Sequence, residues 1–288
     1  MSGIIDDLKR TYQNGGAVVR LIFINSIVFI ALRIVFLFFK LSGHPYDFPF
    51  TMWLSMPSVP AQLLLRPWTL ITYMFYHEDI LHFLFNMLNL YWFGKIFMMY
   101  FDARKMINVY LLGGVVGGLV YFAFYNLFPT VFGPSILMGA SASIIALMTV
   151  SAFYAPNMRL MMVFIGEIKL IYIWLFSVIM YVILIASDNA GGNLAHLGGA
   201  LFGYLWIKQF RKGKDISLWL TKAGESIVSL FKRRKMKVTY KRPVDDKEYN
   251  RQKTINQQEI DRILDKISKG GYDSLTKDEK DTLFRMSK

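Results

Sequence analysis

The sequence predicts an all-α polytopic membrane protein with a small helical cytoplasmic tail, and three observations predict it. Of the 288 residues, 54% are hydrophobic, including 24 Phe, 16 Tyr and 16 Met. These residues fall in blocks of about twenty, the length that crosses ~30 Å of hydrocarbon, instead of being scattered as in a soluble core. The basic residues flank alternate ends of the blocks, as they do in chains threaded through a bilayer.

Residues 1–17 form a polar N-terminal segment in which Ile4, Ile5 and Leu8 predict a short amphipathic surface helix. The first apolar run starts only near Val18, is about twenty residues long and lacks a small-residue cleavage site, so a cleavable signal peptide is not expected. The first span is predicted over Val19–Leu41 and carries Asn25 and Arg33, the latter facing other helices or snorkelling. A connection from His44 to Tyr76 follows, with five prolines and with Trp53 and Trp68. It is too long and too apolar to float free, so an interfacial structure is expected.

The second span is predicted over Asp79–Phe101 and the third over Met106–Phe128. The third contains Gly113-Gly114-Val115-Val116-Gly117-Gly118, a doubled small-xxx-small pattern that lets another helix approach closely. After the uncharged loop Pro129–Met138, the fourth span starts near Gly139 and ends by Pro156. That leaves about sixteen residues, or ~24 Å of helix, short of a full crossing. A loop bearing Arg159, Glu167 and Lys169 leads to the fifth span, Leu170–Ser187. Beyond Asp188 and Gly191-Gly192 the sixth runs to Phe210, closing a six-span domain over 18–210.

From Lys208 onward there are 22 Lys/Arg against 12 Asp/Glu, so +10 of the net charge of +13 lies in the tail. Beside a membrane span such a tail marks the cytoplasmic side, and no nucleic-acid partner is expected. Residues 211–238 repeat apolar side chains (Ile216, Trp219, Leu220, Ala223, Ile227, Phe231) at helical spacing beside Lys212, Lys214, Lys222 and the run Lys232–Lys235. They predict an amphipathic helix on anionic inner-leaflet lipids. A polar linker over 239–256 then leads to a helical hairpin over 257–288. Its first helix uses Ile260, Ile263, Leu264 and Ile267, stops at Gly270-Gly271, and is followed by a capping box at Thr276–Glu279.

Basic residues flank the N-terminus, the second–third and fourth–fifth loops and the tail. The third–fourth and fifth–sixth loops carry none. Both termini are therefore expected in the cytoplasm, and the second, fourth and sixth spans enter from the outer side. At the starts of those spans lie His82 and Asn86, Ser141, and His196, at similar depths. Ionisable residues inside a membrane are functional candidates by default. His82 and Asn86 stand about 40° apart on a helix and face one way. Ser141 and His196 fit a nucleophile and its base, needing only a hydroxyl and an imidazole within hydrogen-bond reach. His82, Asn86 and the Ser141 N–H suit an oxyanion hole. Gly199 and Gly203 let the sixth helix pack closely on its neighbour. No acid is placed to orient His196, so a dyad is expected. A zinc site needs histidines at i, i+4, whereas His77 and His82 are at i, i+5, and cysteine is absent. Neither metal nor cofactor is expected.

At these residues the sequence resembles the rhomboid family of intramembrane serine proteases. The match comprises His77-x4-His82-x3-Asn86, Gly139-Ala140-Ser141, and Ala195-His196-x2-Gly199-x3-Gly203, over about residues 15–210. Trp68 resembles the family's Trp-Arg loop motif, with Thr69 in place of the arginine. The resemblance implies a rhomboid-like six-helix bundle in a cell membrane, a bacterial inner membrane in particular. It makes Ser141 the nucleophile, His196 its base, His82 and Asn86 the oxyanion hole, and His77 a supporting residue. It further implies that transmembrane segments of other proteins are cut near the outer face. Ala142 replaces the glycine usual after the nucleophile. Ile145 replaces an aromatic residue often found four positions after it, removing a stacking partner for His196. A non-proteolytic adaptor on the same fold would need neither Ser141 nor His196. A transporter would be expected to show internal repeats and polar groups at mid-depth.

Overall fold

A computed structural model describes residues 3–43, 48–162, 166–187, 189–231 and 246–286. The predicted sites at His44, Pro45, Asp188 and Lys232–Lys235, and the start of the linker at Thr239, lie outside the described residues.

Helix α1 (Ile4–Asn14) ends at Gly15, and Gly16, at φ +71°, turns the chain into α2 (Gly16–Leu41). Along α2 the residues Val18, Leu21, Asn25 and Phe29 are buried at helical spacing, while Ile24, Ile27, Ile30 and Ile34 are exposed. A helix that stays apolar on its exposed face is one made to meet lipid. Arg33 lies over the rings of Phe29 and Phe36.

The long connection is folded, as its composition requires. It holds α3 (Phe48–Leu54), β1 (Met56–Pro57), α4 (Pro60–Leu65), α5 (Thr69–Thr72) and a 3-10 turn at Tyr73–Phe75. Arg66 donates to Met52 O and to Gln62 Oε1, Trp68 Nε1 donates to Trp53 O at 2.9 Å, and the two tryptophans stack. Then come α6 (Ile80–Met98), α7 (Ala103–Leu127), α8 (Pro129–Phe132), β2 (Ile136–Leu137) and α9 (Ser141–Tyr154). Strands β3 (Arg159–Met162) and β4 (Gly166–Lys169) precede α10 (Leu170–Ile183) and α11 (Ala190–Phe210).

The protein is mostly helical, as expected of an all-α membrane protein, with two short two-stranded pairings among the described residues. β1 pairs antiparallel with β2, tying the connection to the segment before Ser141. The expected loop after the fourth span is a β3–β4 hairpin. Its pairing satisfies backbone groups of Arg159–Met162 and Gly166–Lys169 before α10 begins. By length and composition, α2 and α7 are each able to cross a membrane, while α9 and Leu170–Ala186 are shorter apolar helices. Helices α6 and α11 are long enough but are diluted by His82, Asn86, Asn89 and Lys95, and by Asn193, His196 and several glycines.

Helix α9 is the centre of the bundle, with every residue from Ala142 to Ala152 buried. Its neighbours approach through glycine. A Cβ on Gly117 would lie 2.7 Å from both Ala142 Cβ and Ala195 O, and one on Gly198 would lie 2.8 Å from Gly117 Cα. The second pair of the doubled motif reaches the connection as well: Gly118 abuts Met56, and Gly114 lies between Met74 and Ser143 of α9.

Helix α12 (Leu218–Phe231) is anchored at its start. Asn108 Nδ2 donates to Ser217 O at 3.1 Å and to Thr221 Oγ1 at 2.6 Å, while Leu218 and Trp219 stay exposed. The chain divides into two compact units, Met1–Phe231 and Lys232–Lys288. In the second, α13 (Asp246–Gly270) begins inside the stretch expected as a linker, because between Asp246 and Asn256 Lys, Glu, Gln and Arg are helix formers with no glycine or proline among them. Gly271, at φ +74°, ends it, and α14 (Lys277–Met286) returns. Thr276 N donates to Glu279 Oε2 at 2.8 Å and Glu279 N to Thr276 Oγ1 at 3.4 Å, a reciprocal cap. Lys266, with help from the Thr276 N–H, holds the Glu279 carboxyl down at about 2.

Candidate active site

The site begins with how the chain enters α9. Gly139 N donates to Tyr73 O at 2.8 Å, and Ala140 N donates to His77 Nε2 at 3.4 Å. Gly139 is at φ +108°, a region that side chains rarely adopt, and a Cβ there would lie 2.6 Å from His82 Nε2. Glycine is thus required both by the backbone and by the imidazole. Ser141 is the first helical residue, so its N–H belongs to the first turn, where no intrahelical acceptor exists.

Helix α11 starts at an Asn189 cap, whose Oδ1 accepts from Gly192 N at 3.2 Å. His196 follows within two turns. One turn further, Gly199 rests directly on the Ala142 carbonyl, and at Gly203 a Cβ would lie 2.6 Å from Ala146 O. This close seating brings His196 Nε2 to 2.6 Å from Ser141 Oγ. His196 Nδ1 is buried and has no hydrogen-bond partner among the described residues.

Helix α6 brings the remaining groups. Asp79 caps it by accepting from His82 N at 2.8 Å. Asn86 Nδ2 donates to His82 O at 2.8 Å, which uses one of its two N–H groups and leaves the other. His77 is buried, and its ring meets that of His82 edge-on at 5.3 Å. Ser141, His196, His82 and Asn86 line one cavity of about 880 Å³. Phe85 and Trp92 of α6 and Ile173, Ser177 and Tyr181 of α10 line it too.

Of the expected site residues, Ser141, His196, His82 and Asn86 share the cavity, His77 and Gly139 sit against His82, and Gly199 and Gly203 lie deeper, on the backbone of α9. Two further contributors were not identified from the sequence. Tyr73 holds Gly139 through a backbone carbonyl, for which a sequence carries no signal. Tyr181 packs its ring on His196 at 4.4 Å between centroids. The spacing Leu170, Trp174, Val178, Tyr181 marks the inner face of α10, but not what that face meets.

A serine hydroxyl and a histidine imidazole thus meet at the head of a buried helix, in a cavity lined largely by apolar helices. The family follows from comparison: a rhomboid domain matches residues 65–212, and the chain belongs to the rhomboid family. RHOMBOID-like protein 12, mitochondrial, from Arabidopsis thaliana is 28% identical over 159 residues, covering 51% of this chain and 47% of the relative. The match thus spans about half the length of that relative. Residues 244–288 match a family of unknown function (DUF6576).

Proposed function

We propose that this protein is an intramembrane serine endopeptidase that cuts transmembrane segments of other proteins with a Ser141–His196 dyad. The observation that carries it is the 2.6 Å contact between Ser141 Oγ and His196 Nε2 inside a cavity large enough for a peptide. In this reading Nε2 takes the hydroxyl proton as Oγ bonds to the scissile carbonyl carbon. Negative charge then develops on the carbonyl oxygen, where the Ser141 N–H, the free Asn86 N–H and His82 can stabilise it. His196 returns the proton to the departing amine nitrogen. Water, deprotonated by the same imidazole, then hydrolyses the acyl-enzyme. Family membership supports the reading, because rhomboids are generally serine proteases. Incubating the purified protein with single-span substrates and sequencing the products tests it.

Asn86→Ala is expected to lower kcat by about 10²–10³-fold with little change in KM, since an oxyanion donor acts mainly in the transition state. Unchanged kcat with a raised KM would assign Asn86 to substrate binding instead.

The six apolar helices α2, α6, α7, α9, α10 and α11 are proposed to be six spans, with both termini on the cytoplasmic side of a cell membrane. The assignment of basic residues to alternate loops supports this. Cleavage then falls near the outer face, where α6, α9 and α11 begin. A bacterial inner membrane is the proposed setting, with Trp219 and Leu218 of α12 dipping into anionic lipids beside Lys212, Lys214 and Lys222. The cysteine-free chain makes topology direct to test. A single cysteine at Thr130 is expected to react with an impermeant maleimide on intact cells, and one at Lys212 only after lysis. The opposite pattern would sink the orientation.

A further inference from the structure

We propose that Tyr181, supplied by α10, is the positioning residue for the His196 imidazole, so that the base is correctly aimed only while α10 is seated on α9 and α11. The inference rests on the proteolytic reading of the Ser141–His196 pair and goes beyond it.

A base works only if its ring is held, and a histidine ring is commonly held by a hydrogen bond at the nitrogen that does not react. Here that tether is missing: Nδ1 has no partner among the described residues. The bond to Ser141 is left as the polar contact of the ring. One hydrogen bond lets the imidazole rotate about its two side-chain torsions, so packing must fix the rest. Four residues after the serine, where a helix would present a side chain on the same face, stands aliphatic Ile145. The flat surface comes instead from Tyr181, whose ring lies 4.4 Å from that of His196 at an interplanar angle of 55°. The two rings are in close contact, so the phenol face and edge limit how far the imidazole can turn.

Tyr181 can hold the ring only because α10 is itself located. At its start Leu170 is buried and its N–H donates to Met158 O at 2.8 Å. One turn later Trp174 Nε1 donates to Thr149 Oγ1 of α9 at 2.9 Å. Just beyond its last residue, Leu184 O accepts from Asn193 Nδ2 of α11 at 2.8 Å. Trp174 and Tyr181 are seven residues apart, two turns, and so share the inner face. On the other face Tyr172, Phe176, Ile179 and Ile183 are exposed. Tyr181 also lines the cavity with Ser177 and Ile173. A segment entering there meets the same ring that aims the base.

The test uses purified full-length protein, measuring the fluorophosphonate labelling rate at Ser141 together with kcat and KM on a single-span substrate. Tyr181→Phe keeps the ring and is expected to stay within about twofold of wild type. Tyr181→Leu is expected to slow labelling and kcat by about 10- to 100-fold, the scale of a misaimed reacting group, with KM within about threefold. Equal losses in Tyr181→Phe and Tyr181→Leu would overturn the inference by implicating the hydroxyl. A loss confined to KM would make Tyr181 a substrate contact, and wild-type rates in Tyr181→Leu would remove any role. Wild-type protein that never labels would instead overturn the proteolytic reading, and this inference with it. The Phe variant guards against misfolding, since rescue by a ring at the same place is not what general destabilisation gives.

Discussion

A fluorophosphonate probe is expected to attach to wild-type protein at Ser141 and to leave Ser141→Ala unmodified. The expectation rests on access and activation together. Ser141 lines the cavity, so the probe can reach it, and His196 Nε2 at 2.6 Å can accept its proton. Without that acceptor a serine hydroxyl is a weak nucleophile, so His196→Ala is expected to slow labelling by about 10²–10⁴-fold. Labelling is also expected to fall in acid, where the imidazole is protonated and can take no proton. Ser143 provides an internal control. It is fully buried, and its hydroxyl lies against Gly114, where a Cβ would come within 2.5 Å of its Oγ. Ser143→Ala should therefore still label. Peptide mapping of the labelled protein decides the matter: modification that survives Ser141→Ala but vanishes in Ser143→Ala would mean the wrong serine has been chosen.

The second large effect is expected at Gly199. A Cβ there would overlap the Ala142 carbonyl, a backbone atom that cannot move aside as a flexible side chain can. Helices α9 and α11 must separate, at a cost of about 1–3 kcal/mol for overpacking. They carry Ser141 and His196, so the 2.6 Å contact opens as they part. Gly199→Ala is accordingly expected to lower the thermal midpoint and to reduce cleavage by about 100-fold or more, since displacements of ~1 Å at a reacting pair have that scale. Gly224→Ala is the control. It sits in α12 with nothing within 4 Å of a Cβ, and alanine is the better helix former. Gly199→Ala protein with wild-type stability and activity would show that helix contact there is not what seats the base.

The difference between these two glycines shows where sequence reasoning stops. Hydropathy alone determined that the chain is built from long apolar helices, and most of their ends lie within a turn of where the apolar runs begin and stop. It also placed Ser141, His82, Asn86 and His196 near helix starts, because polar residues interrupting an apolar run stand out whatever the fold. Such signals are local: they depend on composition within about twenty residues of the chain. The β1–β2 pairing was not legible, since it joins Met56 to Leu137 across some eighty residues and two-residue strands have no periodicity to read. Nor was the division of the doubled glycine motif, in which Gly113 and Gly117 meet α9 and α11, Gly118 meets the connection, and Gly114 meets both Met74 and Ser143.

At the site the same boundary holds. A hydroxyl and an imidazole were visible in the chain, but not the distance between them, which depends on the contacts of Gly199 and Gly203 with the backbone of α9. Ile145 pointed to an imidazole without an aromatic neighbour. Tertiary structure decided otherwise by bringing Tyr181 from a helix that follows a β-hairpin, with nothing in the chain to say what the inner face of that helix would meet. Sequence determines what each helix can bury and which polar groups it carries. Which faces meet is decided by close packing of whole helices, a property of shapes that are contiguous in space and remote along the chain.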